Sequence, residues 1–115
     1  MIHLIFVTKY RKSIIYGQIK EDTKQHIFDA CVKHHLYIYT IETDGNHIYT
    51  LLQYNSSDII TKIVGVLKSY STYHIWKAHN TVLSQYFWKE QTLWSDGYFA
   101  CSIGHVSKET IVWCN

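Results

Sequence analysis

The tripeptide Asp44-Gly45-Asn46 constrains this chain more than any other local feature, because it separates two runs that favour extended backbone. Leu36-Tyr37-Ile38-Tyr39-Thr40-Ile41 and the stretch from His47 to Tyr54 are dense in β-branched and aromatic residues, which suit a pleated, half-buried surface. An Asp-Gly turn between such runs predicts an antiparallel hairpin. Helical patterns lie on both sides of it. From Gly17 to His35 the apolar residues Ile19, Ile27, Phe28, Cys31 and Val32 recur at helical spacing, with Lys20, Lys24 and Lys33 largely outside that stripe. Asn55-Ser56-Ser57-Asp58 supplies N-cap chemistry for a second helix, whose buried side is marked by Ile59, Ile60, Ile63, Val64, Leu67, Tyr70 and Ile75.

Two further strands bracket these elements. Ile2 to Thr8 reads as a buried strand ending in the basic turn Lys9-Tyr10-Arg11-Lys12. Beyond Lys77-Ala78-His79-Asn80, a short helix is expected around Val82 to Tyr86. A fourth strand is expected from Leu93 to Ile103, with a bulge at Gly97. Ser107 then caps a terminal helix with Glu109 in its first turn. The order β-α-β-β-α-β predicts an α+β, ferredoxin-like fold: an antiparallel sheet with both helices on one face, plus the start of a C-terminal helix. Residues 1–115 read as one domain.

Composition narrows the function classes. At 47% hydrophobic and 17% charged, the chain is not of the disordered type. No apolar run reaches the roughly 18–20 residues of a membrane span. The opening Met1-Ile2-His3-Leu4-Ile5-Phe6-Val7 lacks a basic n-region and a small-residue cleavage site, so a cytoplasmic location is expected. Cys31, Cys101 and Cys114 fit neither a disulfide framework nor a zinc knuckle and are read as reduced thiols. A net charge of +2 and a pI near 8.4 give only weak support for nucleic-acid binding. His3, His74, His79 and His105 share no metal-ligand spacing and are read as structural or surface groups, while His34-His35 complements a helix C-terminus.

Several blocks coincide with one family. His3-Leu4-Ile5-Phe6-Val7-Thr8-Lys9-Tyr10-Arg11-Lys12 resembles its opening strand, H-x-V-F-V-T-K-Y-R. Leu67-Lys68-Ser69-Tyr70-Ser71 resembles an L-K-x-x-S helix segment, and Phe87-Trp88 followed by Leu93-Trp94-Ser95-Asp96-Gly97-Tyr98-Phe99 resembles an F-W…L-W-S-x-x-Y-F block. Ile103-Gly104-His105-Val106-Ser107 fits the turn before its catalytic helix. In order and over nearly the whole chain, these are similar to the single-tyrosine HUH transposases of small insertion sequences, kin to the REP-associated tyrosine transposases. That resemblance implies a homodimer with a ferredoxin-like core that binds hairpin or single-stranded DNA at element ends. It also implies strand nicking and joining with Mg or Mn and a tyrosine nucleophile.

Such chemistry needs a cation to offset charge on the scissile phosphate and a hydroxyl to form the covalent intermediate. Two histidines one residue apart on a strand share a face, because the side-chain period is two. Here the matching stretch is His47-Ile48-Tyr49: His47 takes the first metal position and Tyr49 stands in place of the second histidine, with Asn46 where the family has Asp. A neutral phenol, with a pKa of about 10, is a poor ligand for a hard cation. The resemblance puts the nucleophile at Cys114, which is read as an ordinary cysteine, and the third ligand beyond Asn115. The expected catalytic set is therefore empty.

The DNA-facing set is Lys9, Arg11, Lys12, Lys62, Lys68 and Trp94, with lysines and arginine on phosphates. Trp88, Trp94 and Tyr98 suit either core packing, which is favoured, or stacking on unpaired bases. The leading reading is a DNA-binding family member whose strand-cutting is impaired or lost. The alternatives are an active transposase with a non-standard site and a ferredoxin-like interaction dimer that no longer binds DNA.

Overall fold

A computed structural model of the chain describes residues 1–55, 57–87 and 90–102. Four strands and two helices follow the expected order: β1 (Ile2–Val7), α1 (Gly17–Lys33), β2 (Tyr37–Asp44), β3 (His47–Gln53), α2 (Ile60–Tyr86) and β4 (Phe99–Ser102). The strands form one sheet in the order β2-β3-β1-β4, and every neighbouring pair is antiparallel. This is the ferredoxin-like arrangement. Ile2, Leu4 and Phe6 of β1 and Ile48 and Leu52 of β3 are fully buried beneath the helices. Alternate residues face the other side of the sheet, as the two-residue period requires.

The central hairpin closes through Gly45, whose φ of 50° suits the tight turn. A Cβ there would lie 2.5 Å from the Tyr16 hydroxyl oxygen. Ile15 N–H donates to the Gly45 carbonyl (2.8 Å), tying the approach to α1 onto the same turn. Helix α1 ends in a Schellman cap: His35 adopts φ 60°, its N–H reaches the Val32 carbonyl, and Leu36 N–H reaches the Cys31 carbonyl. Leu36 and Cys31 are both buried, so the cap also carries the apolar contact that usually accompanies it.

Several local expectations are corrected. On α1 the buried stripe is Ile19, Thr23, Ile27, Ala30 and Cys31, whereas Phe28 and Val32 are exposed because each lies about 100° around the helix from a buried neighbour. Ile59 is exposed and occupies the N-cap of α2 with no side-chain cap bond. Asp58 instead accepts the Asn55 N–H (2.8 Å), closing the preceding turn. The two helices expected after Asn55 are one element bent at His79 (φ −129°, ψ 33°). β4 is shorter than expected; Trp94 makes only a single antiparallel bridge with Thr8, and residues 95–98 form a loop rather than a strand bulge. Cys31 is a buried free thiol with its pKa pushed up to about 11 by burial, whereas Cys101 is disulfide-bonded, contrary to the expectation of reduced thiols. Trp88, the Ile103–Ser107 block, Glu109 and Cys114 lie outside the described residues. Among the described residues no helix is long and apolar enough to cross a membrane.

Candidate functional site

In β3 the buried side chains of Ile48, Thr50 and Leu52 point to the helices, leaving His47 and Tyr49 on the opposite face. Their rings lie side by side, with centroids 5.8 Å apart and planes within 7°. The sheet register sets their neighbours: Val7 and Asp44 oppose His47, and Ile5 and Glu42 oppose Tyr49. His47 Nδ1 is buried and has no hydrogen-bond partner among the described residues, so one imidazole nitrogen is uncommitted. Yet those residues contain no group of three or more His, Cys, Asp or Glu able to hold a metal ion. One imidazole beside one phenol does not make a site for Mg or Mn. The described donor set therefore does not fit the metal that the sequence resemblance implies.

At the end of β1 the backbone enters a single 3-10 turn, Lys9–Arg11. Tyr10 and Arg11 both adopt left-handed φ, 58° and 54°. Non-glycine residues do so at a cost of about 1–3 kcal/mol each, so the surrounding structure must hold them. It does: Arg11 N–H donates to the Thr8 carbonyl (2.9 Å), Thr8 Oγ1 donates to the Lys12 carbonyl (2.7 Å), and Thr8 N–H donates to the Asn46 carbonyl (2.9 Å). Lys9 N–H further anchors the turn to the Leu93 carbonyl. Arg11 and Lys12 project into solvent, while Lys9 is half-buried with its ammonium 3.5 Å from the exposed Asp96 carboxylate.

The other expected DNA contacts are placed differently. Trp94 is 5% exposed; it packs against Phe6 at 5.8 Å and its indole N–H donates to Ser71 Oγ (2.9 Å). Its ring is in the core and is not presented to a base. Lys68 aims its ammonium at three carbonyls of the 95–97 loop: Ser95 (2.8 Å), Gly97 (2.9 Å) and Asp96 (3.3 Å). Burial pushes its pKa down from the ordinary lysine value, opposed by the nearby Asp96 charge. All three donors of the ammonium are engaged by the loop, so Lys68 is a clamp on the protein itself. Lys62 is exposed and borders a cavity with His34 and Asp58. Lys62 thus lies on a different element from the basic turn, which is joined to the residue before His47 through the Thr8–Asn46 hydrogen bond.

A polar seam between α1 and α2 had no signature in the sequence, because its members come from two helices. His79 Nε2 and Asp22 Oδ2 are 2.6 Å apart, and the His26 and His74 rings stack at 4.8 Å. The hydrogen bond to His79 is the leading cause that holds Asp22 below the usual carboxylate range, while burial, then His74, lower His26. His3, read as a structural or surface group, is buried on β1 and lowered by desolvation.

A family model described as "Transposase IS200 like" matches residues 1–113. The chain belongs to the IS200-like transposase family. This family generally uses a divalent metal. Among curated relatives, the transposase for insertion sequence element IS200 of Salmonella typhimurium is 22% identical over 102 residues, covering 89% of this chain and 66% of the relative. The ISDra2 transposase TnpA of Deinococcus radiodurans is 25% identical over 109 residues, covering 95% and 76%. The chain thus spans about two thirds of the length of the Salmonella relative. A Deinococcus radiodurans crystal structure put forward as a transposase superposes with a TM-score of 0.81 at 24% identity, over 90% of this chain and 78% of that one, which supports the fold.

Proposed function

We propose that this chain binds single-stranded or hairpin DNA at insertion-sequence ends, as a homodimer, and that its own strand transfer is impaired or lost. Family membership supports transposition as the setting. The exposed Arg11 and Lys12, held outward by a pinned turn, supply the phosphate contacts, with Lys9 and Lys62 adding charge. The observation that carries the impairment is His47 beside Tyr49, where one imidazole faces a phenol instead of a second imidazole. Without a cation at that face, attack on a phosphodiester loses its main source of charge stabilisation. Cys114, at the position where the resemblance puts the nucleophilic tyrosine, points the same way.

A second reading, residual cleavage, draws on the uncommitted Nδ1 of His47. One experiment separates the two. Purified protein is incubated with manganese and a labelled hairpin oligonucleotide, and resolved both by native gel-shift and under denaturing conditions. Salt-sensitive binding without a covalent adduct is expected. A denaturation-resistant protein–DNA adduct overturns the impairment, and absence of any binding at low salt overturns the DNA-binding reading.

A further inference from the structure

We propose that the disulfide of Cys101 is a redox latch, which fastens the chain beyond Ser102 across the outer face of the sheet through Cys114. The claim does not depend on DNA binding. The chain has three cysteines. Cys101 is disulfide-bonded and Cys31 is a buried free thiol, which leaves Cys114 as the partner within one molecule. Burial keeps the Cys31 thiol protonated, so it stands aside from exchange.

A second observation says what the latch holds. His3 pairs with Leu51 on one side and with Cys101 on the other, so the three side chains form one row across β3, β1 and β4. That row is turned away from the helices, because Ile2, Leu4 and Leu52 point into the core beneath them. Even so, His3 is 9% exposed and Leu51 8%. A sheet face with no layer on it stays open to water, so this row has a cover, and neither helix supplies it. The occupant that fits is the chain's own end. It departs from β4 one residue after Cys101, is tied back there by Cys114, and carries Ile103, Val106, Ile111, Val112 and Trp113 to set against Leu51.

His47 and Tyr49 stand on this same face. Closed, the latch keeps the chain end over that side of the sheet and consumes the thiol at the position where the resemblance puts a nucleophile. Two small-molecule thiols open it: the S–S bond breaks, the two cysteine sulfurs take up two electrons and two protons, and the reductant leaves as its own disulfide. A small-molecule disulfide closes it by the reverse exchange.

The test treats the full chain with glutathione disulfide or with dithiothreitol. Thiol counting in denaturant should find one free thiol after oxidation and three after reduction. In a non-reducing tryptic map, the peptides on either side of Lys108 should stay joined. On the native protein, trypsin should cut at Lys108 faster in the reduced state by up to roughly 100-fold, the equivalent of closing a loop of about 15 residues. Cys101→Ser and Cys114→Ser should be cut at the reduced rate under both conditions, while Cys31→Ser keeps the redox dependence. Circular dichroism confirms that each variant is folded. Three free thiols after oxidation, a bond to Cys31, or disulfides only between molecules would each overturn the latch. So would equal cleavage rates in the two states.

Discussion

Replacing Lys68 by Met distinguishes a protein-directed lysine from a phosphate ligand. Methionine keeps the aliphatic stem near Phe6 and Tyr98, whose ring centroids lie 5.7 and 5.9 Å from the ammonium, and removes the charge. Each hydrogen bond to a charged group contributes about 1.5–3 kcal/mol when buried. Two of the three carbonyl contacts here are exposed, so water replaces them; only the Ser95 bond is part-buried. Against this loss stands the desolvation cost of the ammonium, which the lowered pKa of Lys68 registers and the substitution relieves. The balance is a loss of about 1–2 kcal/mol, seen by urea denaturation as a lower midpoint at constant slope. On DNA, the salt dependence of Lys68→Met should match wild type, because no phosphate contact has been removed. Unchanged stability together with a salt slope lower by about one would refute this reasoning and return Lys68 to the DNA-binding set.

Three further outcomes are expected. Burial, then His74, hold His26 below its ordinary value of 6.5, so the unfolded chain takes up that proton first; stability is full above about pH 6.5 and falls as the pH drops through the folded value. His26→Leu should flatten that decline, and a urea series showing the same pH profile as wild type would count against it; Asp29, Asp22, His74 and His79 are the charged or titratable groups coupled to His26. Asp22, lowered chiefly by its hydrogen bond with His79, contributes stability that is present above 3.8 and lost as pH falls through its folded value. Asp22→Asn should therefore be less stable than wild type at pH 7, with the gap closing in acid; a gap that persists at low pH would point to packing instead. Tyr49→His restores an imidazole beside His47 and should raise manganese affinity by about tenfold or more in calorimetry; no change would remove His47 from the metal position.

What the sequence disclosed and what it hid divide along a physical line. β1, β3 and the Gly45 hairpin were legible because their patterns are local: period-two burial in Ile2, Leu4 and Phe6, and a turn that only a few residue types accept. The order of elements then left few antiparallel arrangements, of which β2-β3-β1-β4 is one. Trp94 and Lys68 are harder to place, for the opposite reason. Each is an amphipathic side chain whose surroundings come from remote segments, Ser71 on α2 for the indole and residues 95–97 for the ammonium. Nothing within a few residues of either reports that partner. The polar Lys77-Ala78-His79-Asn80 looks like a helix break in sequence, but the helix resumes past the bend at His79 because Leu83 is buried in the core.

The alternation of β3 separates folding from the chemistry proposed for its outer face. Ile48, Thr50 and Leu52 hold the strand under the helices, and Thr50 Oγ1 donates to the Leu4 carbonyl (3.2 Å) to lock β3 to β1. His47 and Tyr49 lie on the opposite, partly exposed face, and the phenol ring stacks beside His47. Exchange of histidine for tyrosine at position 49 thus leaves the inward face, the register and the basic turn untouched. A chain of this design can lose a metal ligand at little cost in stability, because the residues that bind a cation and those that bury against helices occupy opposite faces of one strand. The Lys9–Lys12 turn, through which DNA binding is proposed, is pinned to Asn46 and Leu93 rather than to the His47 ring, so it is expected to keep its shape on that exchange. The proposed binding without cleavage is thus compatible with an intact fold.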